Sequence, residues 1–283
     1  MADFYQLKVL DIYKETKDTS VVTLDVPENL HDDFKFHQGQ HLTLKKTING
    51  IDVRRSYSLC TNPSEKRWQV AIKQVPGGVF STYANKKLKK GETLEVMKPT
   101  GNFYVDIDPS SSKNYIAFAA GSGITPILSI IKTHLEVEPE STFKLFFLNK
   151  TAKSIIFKEE IEQLKNKYFQ RFHLFYFLTK EQRDIEFLNG RFTREKLEIL
   201  TNTFIDIDDT AHCFICGPKD MIFLISEELQ KAGLDKDKIH YELFFSGSSN
   251  AENSEVSDVI EQKVEGTEVT IIDGGKEFHF TME

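Results

Sequence analysis

Over roughly the first hundred positions, apolar and polar residues alternate in short runs separated by turn residues. QLKVLDIYKET, SVVTLDV, QHLTLKKTI, DVRRSYSLC and WQVAIKQV read as short strands. Gly39, Asn49-Gly50, Pro63 and Gly77-Gly78 punctuate them. Strands at this spacing make a sandwich or a small barrel. One stretch, VFSTYANKKL, follows Gly78 with the pattern of a helix.

After Asp108-Pro109-Ser110-Ser111-Ser112 the rhythm changes. YIAFAAG, FKLFFLNK, FHLFYFLTK, HCFICG and IHYELFF are unbroken apolar runs, as expected of strands covered on both faces. Helical stretches, ITPILSIIKTHLE, SIIFKEEIEQLKNKY and PKDMIFLISEELQKAG, lie between most of them. This alternation predicts a doubly wound parallel sheet. Beyond Phe245 come SGSSNAENSEVSD, with the composition of a flexible linker, and VEGTEVTIIDGGKEFHFTME, with the pattern of one hairpin. The expected architecture is an α+β two-domain chain: an antiparallel β-barrel over 1–108, an α/β doubly wound domain over 109–245, and a linker with a hairpin over 246–283.

Composition narrows the function. With 283 residues, 40% of them apolar and 28% charged, the chain can bury the cores of about two domains. Lys plus Arg number 36 against 43 Asp plus Glu, a net charge of −7, so the basic footprint that nucleic acid requires is missing. The start carries no basic segment leading into an apolar one, and no run of about 18 apolar residues occurs, so neither secretion nor a membrane span is expected. Cys60, Cys213 and Cys216 are too few for a disulfide framework or a four-thiolate cluster, and they fit a reducing cytoplasm.

Several short motifs carry candidate chemistry. In RRSYSL, Arg55 and Tyr57 share a strand face, offering a cation to a phosphate and a ring to a flat heterocycle, with Ser58 as a hydrogen-bonding hydroxyl. Gly78 and Ser81, in PGGVFS, stand at a helix start whose amides suit an anion. AAGSGITPI follows a buried strand and opens a helix as a phosphate-binding turn does, although Pro126 stands where a third glycine would be. No G-x-x-x-x-G-K-[ST] occurs. The C-x-x-C of HCFICG places Cys213 and Cys216 on opposite strand faces, against thioredoxin-like chemistry; Cys216 also ends a crossover strand, where open sheets place ligands. His37 and His41 have no third ligand spaced for zinc, so no metal site is expected, and surface or hydrogen-bonded roles suit them better.

Taken in order, R-x-Y-S, G-G-x-F-S, G-S-G-I-T-P and C-G-P-x-x-M resemble the ferredoxin-NADP reductase family of flavoproteins over about residues 1–245. FHQGQHLTL is similar to that family's F-x-x-G-Q strand. The likeness is greatest to the reductase components of bacterial oxygenases of the phenylacetyl-CoA oxygenase type, in which a plant-type [2Fe-2S] ferredoxin domain follows; EVTIIDGGKEFHFTM resembles that domain's first hairpin. The resemblance implies an FAD-binding barrel and an NAD(P)-binding α/β domain. It assigns Arg55 to the FAD pyrophosphate, Tyr57 to the isoalloxazine and Ser58 to the neighbourhood of flavin N5. Ala71, Ile72 and Lys73 would line the flavin, with Gly78 and Ser81 at its phosphates. Thr125 and Cys216 would meet the nicotinamide, and Glu242 would stand near the flavin.

Next to Thr179, the cations Lys180, Arg183 and Arg191 suit a 2′-phosphate, so NADPH is expected over NADH, with Glu181 as the opposing sign. The implied partner is a ferredoxin or an oxygenase component. Four thiolates are needed for a plant-type cluster and no cysteine follows Cys216, so no iron-sulfur cluster is expected, and the chain reads as a truncated form or one that lost its cluster. A stand-alone flavin or ferric reductase and a non-catalytic flavin-binding subunit remain as alternatives.

Overall fold

Six strands form an antiparallel sheet: β1 Tyr5–Thr16, β2 Thr19–Asp25, β3 His41–Ile48, β4 Ile51–Ser58, β5 Trp68–Lys73 and β6 Thr93–Val96. They are seen in a computed structural model of the chain that describes residues 3–244 and the backbone of 267–273 and 276–282. The strand order is β4-β3-β6-β1-β2-β5, and a bridge between Leu59 and Val70 joins the end of β4 to β5, closing the sheet toward a barrel. Asn49 and Gly50, at φ 52° and 80°, make the tight turn between β3 and β4. Leu7, Val22, Leu42, Val70, Ile72 and Leu94 fill the interior. Helix α1, Val79–Lys86, packs Phe80 and Ala84 against them. The four residues of β6 are too few for alternation to announce, and the sequence pattern does not single them out.

The second sheet is parallel throughout. Its strands are β7 Asn114–Ala120, β8 Thr142–Asn149, β9 Phe172–Leu178, β10 Thr210–Gly217 and β11 Ile239–Leu243, in the order β11-β10-β7-β8-β9. Helices α2 Ile124–Val137 and α3 Lys158–Lys167 cover one face, through Ile127, Ile131 and Ile161; α4 Arg194–Thr203 and α5 Lys219–Lys231 cover the other, through Leu197, Leu200, Ile222 and Ile225. The strand order reverses between β7 and β10, so their carboxyl ends open a crevice, the usual ligand position in such sheets.

The α2 face of this sheet shares its core with the barrel, because Val21, Cys60, Ala71 and Phe103 join Ile124, Ile127 and Phe214 in one cluster. Polar contacts reinforce the junction. Ser129 Oγ donates to the Thr61 carbonyl at 2.6 Å, Asn62 Nδ2 to Glu136 Oε2 at 2.8 Å, and Lys132 Nζ to the Cys60 carbonyl at 3.3 Å. Lys132, only 8% exposed, also pairs with Glu65 at 3.5 Å and with Glu160.

A separate unit carries β12 Thr267–Asp273 and β13 Lys276–Met282, an antiparallel pair in register from Thr267↔Met282 to Asp273↔Lys276. The SGSSNAENSEVSD stretch, expected as a linker, lies outside the described residues. Among the described residues no helix is long and apolar enough to cross a membrane.

At the amino-terminal side of the parallel sheet, His212 Nδ1 on β10 lies 3.0 Å from His240 Nε2 on β11. Burial, aided by the charges of His240, Lys113, His134 and Lys238, pushes His212 down to about 4, and burial lowers His240 as well. The unfolded chain therefore binds protons more readily at both rings. Their contribution to stability is full above the ordinary histidine value of about 6.5 and is lost as pH falls toward the lowered values. Melting followed by circular dichroism should show Tm declining across that window, and His212→Gln should flatten the decline.

Candidate functional site

The barrel and the parallel sheet meet where the carboxyl ends of β7 and β10 open. Ser58, at the end of β4, is buried and donates from Oγ to Glu242 Oε2 at 3.1 Å, joining residues 184 apart in the chain. Glu242 on β11 is the register partner of Cys216 on β10, and Cys216 in turn pairs with Ala119 on β7. Immediately after β7, Gly121 takes φ +54°, a left-handed turn that glycine adopts without strain. Lys73 Nζ, from the end of β5, comes within 3.8 Å of where a Cβ on Gly121 would stand. Gly123 is required for a different reason: a Cβ there would fall on the Cys216 carbonyl. Thr125, buried in the first turn of α2, donates to the Ser122 carbonyl at 3.0 Å and so holds the turn closed. The structure thus brings Ser58, Lys73, Thr125, Cys216 and Glu242 to one crevice.

Cys216 is wholly buried, and burial, with the Glu242 charge behind it, pushes its thiol well above the ordinary range. Cys213 is equally buried, and its side chain joins the core on the opposite face of the sheet. The two sulfurs therefore cannot act as a pair. His37 stacks on Tyr104 at 4.5 Å, and among the described residues no cluster of side chains is placed to hold a metal ion.

A second group lies along β4 and α1. Arg55 is exposed, with Nη1 donating to the Arg54 carbonyl at 2.6 Å. Tyr57 is half-buried against Phe80, with centroids 5.7 Å apart, and burial raises its hydroxyl. Helix α1 begins at Gly78 with no side chain capping it, which leaves its first-turn amides directed outward. A Cβ on Gly78 would stand within 2.5 Å of Ser81 Oγ and Val75 Cγ2, so the turn has no room for a side chain.

Two sequence expectations change in detail. Ser81 is buried and its hydroxyl is committed to the turn, accepting from Val75 N at 3.2 Å and donating to the Gly78 carbonyl at 3.3 Å. Ala71 and Ile72 are buried with their side chains in the two cores, which leaves their backbone, not their side chains, for any ligand contact.

Asn85, which the sequence pattern does not single out, donates to the carbonyls of Ile72 at 2.8 Å and Ser81 at 2.9 Å, and accepts from Lys14 Nζ at 2.8 Å. It ties α1 to β5. A signal for it exists: a polar residue stands on the buried face of a short helix, beside Ala84.

The third group follows β9. Gly190 N donates to the Leu178 carbonyl at 2.7 Å, which lays the 189–191 segment beside the strand end and brings Arg191 near Thr179. Arg183 and Asn189 brace the intervening loop, with Arg183 N donating to Asn189 Oδ1 at 2.8 Å and Asn189 Nδ2 to the Arg183 carbonyl at 2.9 Å. Glu181 turns aside to accept from Ala152 N at 2.7 Å. Among the described residues, none of Lys180, Arg183 and Arg191 is paired with a carboxylate, so their positive charge stands uncompensated.

Residues 6–104 match the oxidoreductase FAD-binding domain family and residues 118–227 the oxidoreductase NAD-binding domain family. The chain is 37% identical over 277 residues to one of the subunits of the 1,2-phenylacetyl-CoA epoxidase of Escherichia coli, covering 98% of this chain and 76% of the relative. It is 31% identical over 258 residues to the ferredoxin reductase component of the 3-ketosteroid-9-alpha-monooxygenase of Rhodococcus rhodochrous, covering 89% and 69%. Among solved structures, the FAD/NAD-binding domain of a nitric oxide dioxygenase from Vibrio cholerae superposes with a TM-score of 0.72 at 24% identity, covering 86% of this chain and 99% of that one.

The tight seat of the turn on β10 has a measurable consequence. Gly123→Ala forces the Cys216 backbone and α2 apart, at a cost of about 1 to 3 kcal/mol. The midpoint of urea unfolding should fall accordingly.

Proposed function

The chain belongs to the ferredoxin-NADP reductase family, and from that membership we propose that it draws electrons from NADPH through FAD and delivers them to an iron-sulfur protein or an oxygenase component. It is an FAD-dependent NAD(P)H reductase; the choice of nucleotide, the acceptor and the residue roles are what the proposal adds. The epoxidase and monooxygenase named for its relatives support an acceptor of the oxygenase type. The observation that carries the proposal is the pairing of Ser58 with Glu242 beside the Gly121–Gly123 turn. It joins a hydroxyl on the barrel to a carboxylate on the parallel sheet, at the sheet's ligand position.

The residues fit the cofactor. A dinucleotide needs a place for its pyrophosphate, and the uncapped start of α1, the side-chain-free turn at Gly78 and the exposed Arg55 guanidinium suit a doubly negative group. Ser81 serves here by holding the turn. Tyr57 offers a ring face for the isoalloxazine, and the backbone of Ala71, Ile72 and Lys73 offers an edge beside it. When bound, FAD supplies the step from a two-electron nucleotide donor to a one-electron acceptor. Ser58, whose one proton goes to Glu242, would turn an oxygen lone pair toward the flavin's reacting edge, and Glu242 would keep that hydroxyl aimed. Thr125 fixes the shape of the glycine turn that meets the nicotinamide nucleotide. Cys216 contributes shape, since its protonated, buried thiol is a poor nucleophile. Thr179, Lys180, Arg183 and Arg191 receive the 2′-phosphate.

The test starts with purified protein, which should be yellow and should bleach on adding NADPH; colour without bleaching indicates a non-catalytic subunit. Arg55→Ala removes a charge-assisted contact worth about 1.5 to 3 kcal/mol, so FAD should dissociate about 10- to 100-fold more readily in dialysis. Retention equal to wild type refutes the assignment of Arg55.

Nucleotide choice is tested separately. Lys180→Ala with Arg191→Ala should cut kcat/KM for NADPH by about tenfold or more and leave that for NADH nearly unchanged, as loss of charge-assisted phosphate contacts implies. Equal efficiency of the wild type with both nucleotides refutes the NADPH preference. Stoichiometric iron and acid-labile sulfide on the chain would refute the expectation that it carries no cluster.

A further inference from the structure

His41 has a place that neither the metal chemistry considered for it nor a plain surface role explains. In the register of β3 and β4 it lies directly opposite Ser58, so the two side chains leave the sheet on the same face, the one Glu242 approaches from β11. Glu242 uses its two oxygens on these two residues. Oε2 accepts from Ser58 at 3.1 Å, and Oε1 stands 3.7 Å from His41 Nδ1.

The ring is held in that pose from the other side. His41 and Thr100 exchange backbone hydrogen bonds, N to O at 2.9 Å and 3.0 Å, and Thr100 Oγ1 lies 3.2 Å from Nε2. Gly101 leaves room for the ring, since a Cβ there would stand 3.1 Å from Nδ1. Nδ1 is buried with no hydrogen-bond partner, although the side chains of His41 and Glu242 are 25% and 19% exposed. A buried imidazole nitrogen without a partner is costly, and among the described residues the one carboxylate within reach is Glu242. Hydrogen bonds of this kind are often long without ligand and tighten on binding.

We propose that His41 is a positioning residue: Thr100 fixes its tautomer through Nε2, Nδ1–H holds Glu242 Oε1, and Glu242 thereby aims Ser58. The edge strand β11 would otherwise present Glu242 with a single tether to the barrel. The proposal rests on Ser58 acting at the flavin, as proposed above.

The experiment compares holoenzymes of wild type, His41→Leu, His41→Asn, Glu242→Gln and the His41→Leu/Glu242→Gln pair. Flavin reduction by NADPH is followed in stopped flow, and 15N-histidine NMR reads the tautomer. His41→Leu should slow reduction about tenfold, with the nucleotide KM within about twofold, because misaim costs rate more than binding. His41→Asn, whose amide nitrogen can stand where Nδ1 was, should recover to within about threefold of wild type. Added to Glu242→Gln, His41→Leu should cost nothing further, the mark of two residues acting through one contact. The wild-type His41 signal should be that of the Nδ1-protonated ring and should lose this fixed form in Glu242→Gln.

Reduction by His41→Leu at the wild-type rate, multiplying effects in the pair, or an Nε2-protonated ring in the wild type each overturn the proposal. Should His41→Leu fail to fold, His41→Asn and the NMR signature still decide it. A wild type that binds no FAD, or is not bleached by NADPH, overturns instead the functional reading beneath it.

Discussion

The placement of the site depends on a buried ammonium. Lys132 sits in the middle of α2, and its charge is met from three directions: Glu160 on α3, Glu65 at the end of the short turn at 63–65, and the Cys60 carbonyl just past β4. A charge taken out of water costs several kcal/mol unless its partners are all in position. That condition is satisfied only when the barrel's 60–65 loop and both helices are seated together. The turn that accepts the nucleotide in the proposed function begins the same helix, two turns before Lys132. The contacts that offset the buried charge therefore also fix how far that turn stands from Ser58. Ser129 and Glu136, one turn to either side, grip Thr61 and Asn62 and leave α2 little freedom to rotate.

Much of the architecture was legible because the two sheets bury their strands differently. A barrel strand that wets one face alternates, as QHLTLKKTI does, whereas the parallel sheet is covered twice and reads as unbroken runs such as YIAFAAG. Candidate site residues with a local signature were legible too, among them Arg55 and Tyr57 of RRSYSL and the glycines of AAGSGITPI, whose roles belong to the proposal. Contacts between distant segments were not. Nothing near Ser58 announces Glu242 as its partner, and Lys132 sits in a helical pattern where a lysine ordinarily means water. His41 has no neighbour in sequence that explains it, because its partners arrive from β11 and from Thr100. Glu181, beside Lys180 in the chain, reads as repelling a phosphate, yet its carboxylate is committed to Ala152 N. Its charge is written in the chain; the direction in which that charge points is not.

Around the crevice several side chains act as braces on the main chain. Asn85 holds the Ile72 carbonyl, Thr125 the Ser122 carbonyl and Ser81 the Val75 amide. Backbone groups set this way cannot change rotamer, which in the proposed function would keep a flat cofactor and a second nucleotide in fixed relation. It also explains why the glycines matter more than their size suggests: at Gly78 and Gly123 a single methyl group would displace main chain or its brace.

All three sulfhydryls of the chain are sealed from solvent. Burial raises each of them, Cys60 to about 12 and the other two well above their ordinary value, so almost none of the anionic form exists at neutral pH. Peroxide and electrophiles attack that anion, and the ladder from sulfenic acid to sulfonic acid starts there. A reductase thus keeps its thiols protonated and sealed, even Cys216, which stands beside the crevice.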